Sequence, residues 1–258
     1  MTMPFTRACG PLAGSCLAAC LALAAPAAPA QNFIGVGAAY VPEYEGSDEY
    51  EFKPVPLVRY ERGNFFISRV AGAPALGLRW QLGGPWSGGV FAGLQDGRDA
   101  DDYDRLKGLD DIDWHGVGGA FLRWSQGPLG FSVAYRQALK SGYGGILALD
   151  ADYRLYQRGR STVTLGVGTQ WASSDAMDTY FGVSQRESQR SRAGLRPYEA
   201  SSGFKSATVA ATWTYGFDNG ISTIATLGAR TLLGDARDSP VTERRGGAFG
   251  MVGLSYAF

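Results

Sequence analysis

The chain has 258 residues, sets 24 Lys+Arg against 24 Asp+Glu, and is 45% hydrophobic and 12% aromatic with 37 glycines. A formal charge of zero leaves no basic footprint for nucleic acid, so no nucleic-acid partner is expected, and the aromatic share argues against disorder. Glycine at about twice its usual share of roughly 7%, without a collagen-like period, points to a β-rich chain with many turns.

Residues 1–30, MTMPFTRACGPLAGSCLAACLALAAPAAPA, join one cation, Arg7, to an Ala/Leu-rich stretch and finish Ala28-Pro29-Ala30. That layout is a cleaved secretory signal peptide, so the expected division is a signal at 1–30 and one domain at 31–258. Leu17-Ala18-Ala19-Cys20 resembles a lipoprotein lipobox, but Gly10, Pro11 and Gly14 break the apolar region before Cys20. All three cysteines, Cys9, Cys16 and Cys20, fall within the signal. The domain therefore has no disulfide framework and no thiolate site. No later segment approaches the roughly 18 uninterrupted apolar residues of a membrane-spanning helix.

From residue 33 onward the chain alternates. Strands are expected to start near 33, 52, 64, 75, 86, 113, 129, 144, 160, 203, 220 and 247. Residues 129–140 set Leu129, Phe131, Val133 and Tyr135 against Ser132, Ala134, Arg136 and Lys140. In 146–156, Leu147, Leu149, Ala151, Tyr153 and Leu155 oppose Asp150, Asp152 and Arg154. In 160–171, Val163, Leu165, Val167 and Trp171 oppose Thr162, Thr164, Gly166 and Gly168. Period two is the mark of a strand with unlike faces.

The connections come in two kinds. Glu61-Arg62-Gly63-Asn64, Gly83-Gly84-Pro85, Ser125-Gln126-Gly127-Pro128, Gln157-Arg158-Gly159 and Asp218-Asn219-Gly220 carry tight-turn chemistry. Between them lie connections at about 42–51, 95–112, 172–202 and 234–246, with short ones near 71–74 and 141–144. An even number of strands, short turns on one rim and longer loops on the other are the signs of an all-β transmembrane antiparallel barrel of about twelve strands. Oily residues would face lipid and ionised ones the lumen, and both termini would lie on the short-turn, periplasmic side. The final MVGLSYAF fits: Val252, Leu254, Tyr256 and Phe258 alternate with smaller residues, as a lipid-facing closing strand requires.

Two motifs frame the domain. Tyr44-Glu45-Gly46-Ser47-Asp48 precedes Pro54-x-Pro56, and Gly234-Asp235 precedes Asp238-Ser239-Pro240. With DGRDADDYDRLKGLDDID at 96–113 and YFGVSQRES at 180–188, they resemble the MipA/OmpV family, the MltA-interacting outer-membrane proteins. The resemblance runs from about 33 to 258. It implies a non-enzymatic outer-membrane barrel that scaffolds a murein lytic transglycosylase with a penicillin-binding protein, amid outer-membrane lipids and lipopolysaccharide. Other members are linked to adhesion, and a narrow pore is the alternative reading. The family supplies no catalytic residue to carry over. Read from chemistry alone, Pro54 and Pro56 suit a strand start or bulge, and Asp235 and Asp238-Ser239-Pro240 suit a turn.

Other candidates for chemistry are weaker. His115, the only histidine, is expected on the lumen side near the loop rim beside Asp113. A lipid-modifying barrel hydrolase would need a serine within its reach. Asp150, Asp152 and Arg154 are expected to form a lumen charge network with Arg123, Arg136, Lys140 and Arg230. Asp96, Asp99, Asp101, Asp102, Asp104, Asp110 and Asp111 crowd one loop without the spacing of a calcium loop, so no metal or cofactor is expected. Arg186, Arg190, Arg192 and Arg196 suit lipopolysaccharide phosphates.

Overall fold

Period-two alternation gives extended backbone, and extended backbone in hydrocarbon must find a partner on both edges. The computed structural model describes residues 32–258 and closes that requirement with twelve strands. They are β1 (Phe33–Pro42), β2 (Tyr50–Arg62), β3 (Phe65–Val70), β4 (Ala73–Gly83), β5 (Trp86–Gln95) and β6 (His115–Gln126). β7 (Leu129–Ala138), β8 (Gly145–Arg158), β9 (Ser161–Ala172), β10 (Gly203–Gly216), β11 (Ile221–Leu232) and β12 (Gly246–Ala257) complete the set. Every strand begins within two residues of its expected start. Each pairs antiparallel with its sequence neighbours, and β12 returns to β1 from Phe33↔Ala257 to Tyr40↔Gly250. The expected signal peptide at 1–30 lies outside the described residues.

The polarity is inverted relative to a water-soluble barrel. Val167, Val209, Leu227, Val252 and Leu254 are all at least half exposed on the outer face. Outward Trp80, Trp86, Tyr153, Tyr156, Trp213 and Tyr256 ring the short-turn end, as an interfacial aromatic girdle does.

The lumen corrects one expectation. It is not charged throughout; its middle is an apolar waist. Ala39, Val41, Val55, Leu57, Ala210, Ile224, Phe249 and Met251 cluster there, and Phe66, Ala75 and Phe91 cluster on the wall from β3 to β5. Inward glycines make room for these rings. A Cβ at Gly228 would lie 2.2 Å from the Phe249 ring, and one at Gly119 would lie 2.7 Å from Phe91. Part of the glycine excess is therefore floor space for phenyl groups.

The long connections are not irregular throughout. Among the described residues three short α-helices form there: α1 (Ser174–Phe181), α2 (Gln185–Arg190) and α3 (Gly234–Asp238). The turn reading of Asp235 and Asp238 gives way to α3. Ser173 caps α1 by accepting from the Ala176 N–H, and Ser184 with Glu187 forms a capping box on α2. Helices of two turns or fewer are too short to imprint a 3.6-residue period.

One seam is incomplete. β2 and β3 pair at only three positions, Tyr60↔Ile67, Glu61↔Phe66 and Arg62↔Phe65. Pro54 and Pro56 sit in mid-strand opposite Ala38 and Val36 of β1, in regular register and not at a strand start or bulge. The Glu61 N–H donates to the Asn32 side chain on the β1 side, at 2.7 Å. Even-numbered residues of β2 therefore aim their amides at β3, and two of those amides are prolines with no N–H to give.

Opposite faces at neighbouring positions provide a test of polarity. Val252→Arg should cost about 2–4 kcal/mol, the scale of a cation on the lipid face near mid-bilayer. Met251→Leu, a near volume-conserving change in the waist, should cost under about 1.5 kcal/mol. Urea unfolding in lipid vesicles reads both, and the reverse order would contradict the orientation.

Candidate functional site

The loop end of the lumen is built around Glu45. The β1–β2 loop folds inward, and the Glu45 carboxylate meets Lys205 Nζ at 2.7 Å and Arg230 at 3.6 Å. Lys205 reaches it through a β-bulge: β10 slips register between Phe204 and Ser206, so Lys205 and Ser206 are both buried. Bulges re-aim side chains in this way. Burial pushes the Glu45 carboxyl up, but Lys205 and Arg230 outweigh it and hold the group below its ordinary range.

Around this pair the wall closes. Arg136 donates to Gln95 at 2.6 Å, and both are buried. Glu45, Gln95, Arg136, Gln170, Tyr180, Lys205 and Arg230 converge on a void of only about 10 Å³. A single water needs about 10–15 Å³.

Above the plug the loops share a core of their own, with Tyr44, Tyr103, Leu106, Val183, Leu195 and Val241 buried together. The two family motifs meet here. Tyr44 Oη donates to the Val241 carbonyl at 3.2 Å and to Glu243 at 2.9 Å. Burial and the Glu243 hydrogen bond push its phenol well up, and burial pushes Tyr103 up to about 12. Gly46, at φ 105°, accepts from the Glu243 and Arg244 N–H groups. Its bare Cα is needed, since a Cβ would lie 2.9 Å from Thr242 Oγ1. Ser47 accepts from the Glu49 N–H, while Asp48 is exposed.

The second motif supplies the other half. Gly234 takes a positive φ of 50° before α3. Asp235 accepts from the Ser201 N–H at 2.7 Å and from the Tyr198 hydroxyl at 3.0 Å. Ser239 donates to the Phe181 carbonyl at 2.6 Å, Asp238 pairs with Arg237 and Arg245, and the Pro240 carbonyl accepts from Arg105.

The expected lumen network is split. Arg123 and Asp152 pair at 2.8 Å on the short-turn side of the waist. Gly130 gives them room, since a Cβ there would lie 2.6 Å from both. Asp150 projects into the same half, against Gly168. Arg136 and Arg230 belong instead to the loop-end plug. Lys140 and Arg154 leave the network. Lys140 pairs with Asp113 beyond the strand end, and Arg154 caps a turn through Gln157 and the Gly127 carbonyl. Each lies where its strand has ended or bulged, so parity no longer reports the lumen.

His115 is buried with Nδ1 3.0 Å from the Asp113 carbonyl oxygen and its ring edge-on to Tyr143. Among the described residues no His, Cys, Asp and Glu group is arranged to hold a metal. The arginines at 186, 190, 192 and 196 are exposed, and Arg190 is tied to Asp110 at 2.7 Å. Sequence reasoning missed Glu45 and Lys205 as the centre of the plug. The signal was present for Lys205: outward Val209, Ala211, Trp213 and Tyr215 are odd, whereas outward Phe204 is even, so a bulge must lie between.

Glu45→Gln should destabilise the loop end by about 3–5 kcal/mol, because it strands a buried cation. The double change Glu45→Leu with Lys205→Met should recover most of that loss in thermal unfolding. Because the folded Glu45 value is depressed, its contribution is present above the unfolded value near 4.5 and lost as pH falls through the folded one. Hydrogen exchange at residues 43–49, corrected for intrinsic rate, should accelerate only in that acidic window.

The family described as MltA-interacting protein MipA matches residues 34–258. The MltA-interacting protein of Escherichia coli (strain K12) is 28% identical over 231 residues, covering 87% of this chain and 89% of that protein. YiaT of the same strain, an outer membrane protein by provisional assignment, is 28% identical over 91% of this chain and 94% of its own. Among solved structures, a KdgM porin in complex with disordered oligogalacturonate covers 88% of this chain and 99% of its own, with 12% identity and a TM-score of 0.49. With its closed, lipid-facing barrel matched from β1 to β12, the chain belongs to the MipA family of MltA-interacting proteins.

Proposed function

We propose that this outer-membrane barrel is a non-enzymatic, non-conducting adapter that engages a murein-cleaving lytic transglycosylase and, through it, a penicillin-binding protein. The family and the name of the Escherichia coli relative, MltA-interacting protein, supply the partner class. The observation that carries the non-conducting part is the loop-end plug, whose seven converging side chains leave about 10 Å³. The waist adds a second, apolar barrier below it. A solute pathway would have to break the buried Glu45–Lys205 pair.

In this reading the short turns and both termini face the periplasm, and the exposed Arg186, Arg192 and Arg196 meet lipopolysaccharide phosphates on the outer side. The non-enzymatic part of the proposal rests on the family resemblance, which carries over no catalytic residue.

Two measurements test this together. Reconstituted in planar bilayers, the barrel should show no stepwise conductance, whereas Glu45→Ala with Lys205→Ala should. Crosslinking in intact envelopes should recover a lytic transglycosylase with the barrel. Steady wild-type conductance with no transglycosylase recovered would replace the adapter with a pore.

A further inference from the structure

The β2–β3 seam has the shortest ladder of this closed barrel. Beyond their three shared pairs the ladder between the strands ends, and the β3–β4 tip packs inward. Ala71 at that tip packs with Ala134 of β7 and Ala148 of β8. Ala71 holds a φ of 45°, the only positive value outside glycine among the described residues. The tip is thus drawn across the barrel, and Pro54 and Pro56 give it no amides to stay for.

A cavity of about 410 Å³ fills the short-turn half of the lumen and reaches this seam. Its walls include Leu57 and Arg59, which point inward, and Pro56 and Val58, which point outward on the same strand. These four residues lie just before the point where β2 takes up its pairing with β3 at Tyr60, so the cavity meets the seam along its unpaired edge. A void of about 150 Å³ holds a benzene, so this one accommodates a long single chain with a head group.

The lining also has a sign. Arg59, Arg79 and Arg123 line it with Glu61 and Asp150, and Asp152 takes up Arg123. Arg59 and Arg79 share one oxygen, Glu61 Oε1, at 3.0 and 2.9 Å. Two guanidiniums on one carboxylate leave a positive charge for a second anion. Arg79 also lies over the Phe66 and Phe121 rings, 5.2 and 5.6 Å from their centroids, which fixes its position beside the apolar part of the cavity.

We propose that the β2–β3 seam is a lateral binding site for a single-chain anionic amphiphile, a long-chain carboxylate. Its tail enters from the membrane between Pro56 and Val70, and its head group is held by Arg59 and Arg79. The site stands independently of the adapter role.

The test uses the barrel purified from outer membranes, reconstituted in phosphatidylcholine vesicles, with diazirine-tagged palmitate as the probe. Saturable crosslinks are expected on Ser132 and Ala134, inward residues of β7 that only a chain inside the lumen can reach. Unlabelled palmitate should compete them. Arg79→Gln should weaken this labelling by roughly tenfold, the size of one charge-assisted hydrogen bond, while Arg79→Lys retains it. Tagged hexadecanol, which lacks the charge, should label the same residues about tenfold less. Wild-type labelling confined to outward residues such as Val167 and Leu227 would overturn the site. Lumen labelling by a tagged two-chain phospholipid but not by palmitate would overturn the ligand assignment.

Discussion

A backbone amide or carbonyl in hydrocarbon has no water to turn to, and each one left alone costs several kcal/mol. Eleven of the twelve seams of this barrel answer that constraint with long ladders, and the β12–β1 seam makes the cylinder continuous. The outward rows of Leu, Val and aromatic side chains follow, because lipid is the solvent they meet. The twelfth seam, β2–β3, is relieved by other means: two prolines remove donors, and the β3–β4 tip retreats into the protein. The departure from regularity is therefore written into the chain.

Inside, the same low dielectric makes isolated charge expensive, and three inward carboxylates are set against cations. Glu45 is set between Lys205 and Arg230, Glu61 between Arg59 and Arg79, and Asp152 against Arg123. The apolar waist separates the loop-end charges from the short-turn charges, so the lumen is a stack of three layers. Burying an ion pair is weak evidence for stability. Its clearer effect here is positional: Glu45 pins a loop into the barrel, and that loop carries the Tyr44 hydroxyl to the second motif. The adapter and lateral-site proposals use opposite ends of this stack, the first requiring a shut loop end and the second an open wall nearer the short turns.

Strand number, strand starts, outward face and short turns were legible because period two and Gly/Pro/Asn turn chemistry are local signals. The charge network was legible only in part. Parity puts Asp150, Asp152 and Arg123 on one face but cannot rank their heights, so it groups Arg136 and Arg230 with them across a waist that separates them. Lys140 and Arg154 sit where a strand has ended or bulged, and there alternation carries no information. Glu45 was legible as a motif residue but not as an ion-pair partner, since a loop's path across a lumen is a tertiary fact. Pro54-x-Pro56 was visible, yet its consequence needed to know which edge each amide faces. The helices in the loops were betrayed only by caps, Ser173 and the Ser184–Glu187 box.

The central claim is orientation: large apolar side chains outside in lipid, ions and phenyl rings inside. Residues 32–258 contain no cysteine, so single nitroxide labels can be walked along β9 and β12 without background. In lipid vesicles, labels at Leu165, Val167, Val252 and Leu254 should relax fastest with oxygen, which concentrates in hydrocarbon, and those at Gly166 and Met251 should be shielded from it. Accessibility that failed to alternate, or that alternated in the opposite phase, would contradict the account at its root.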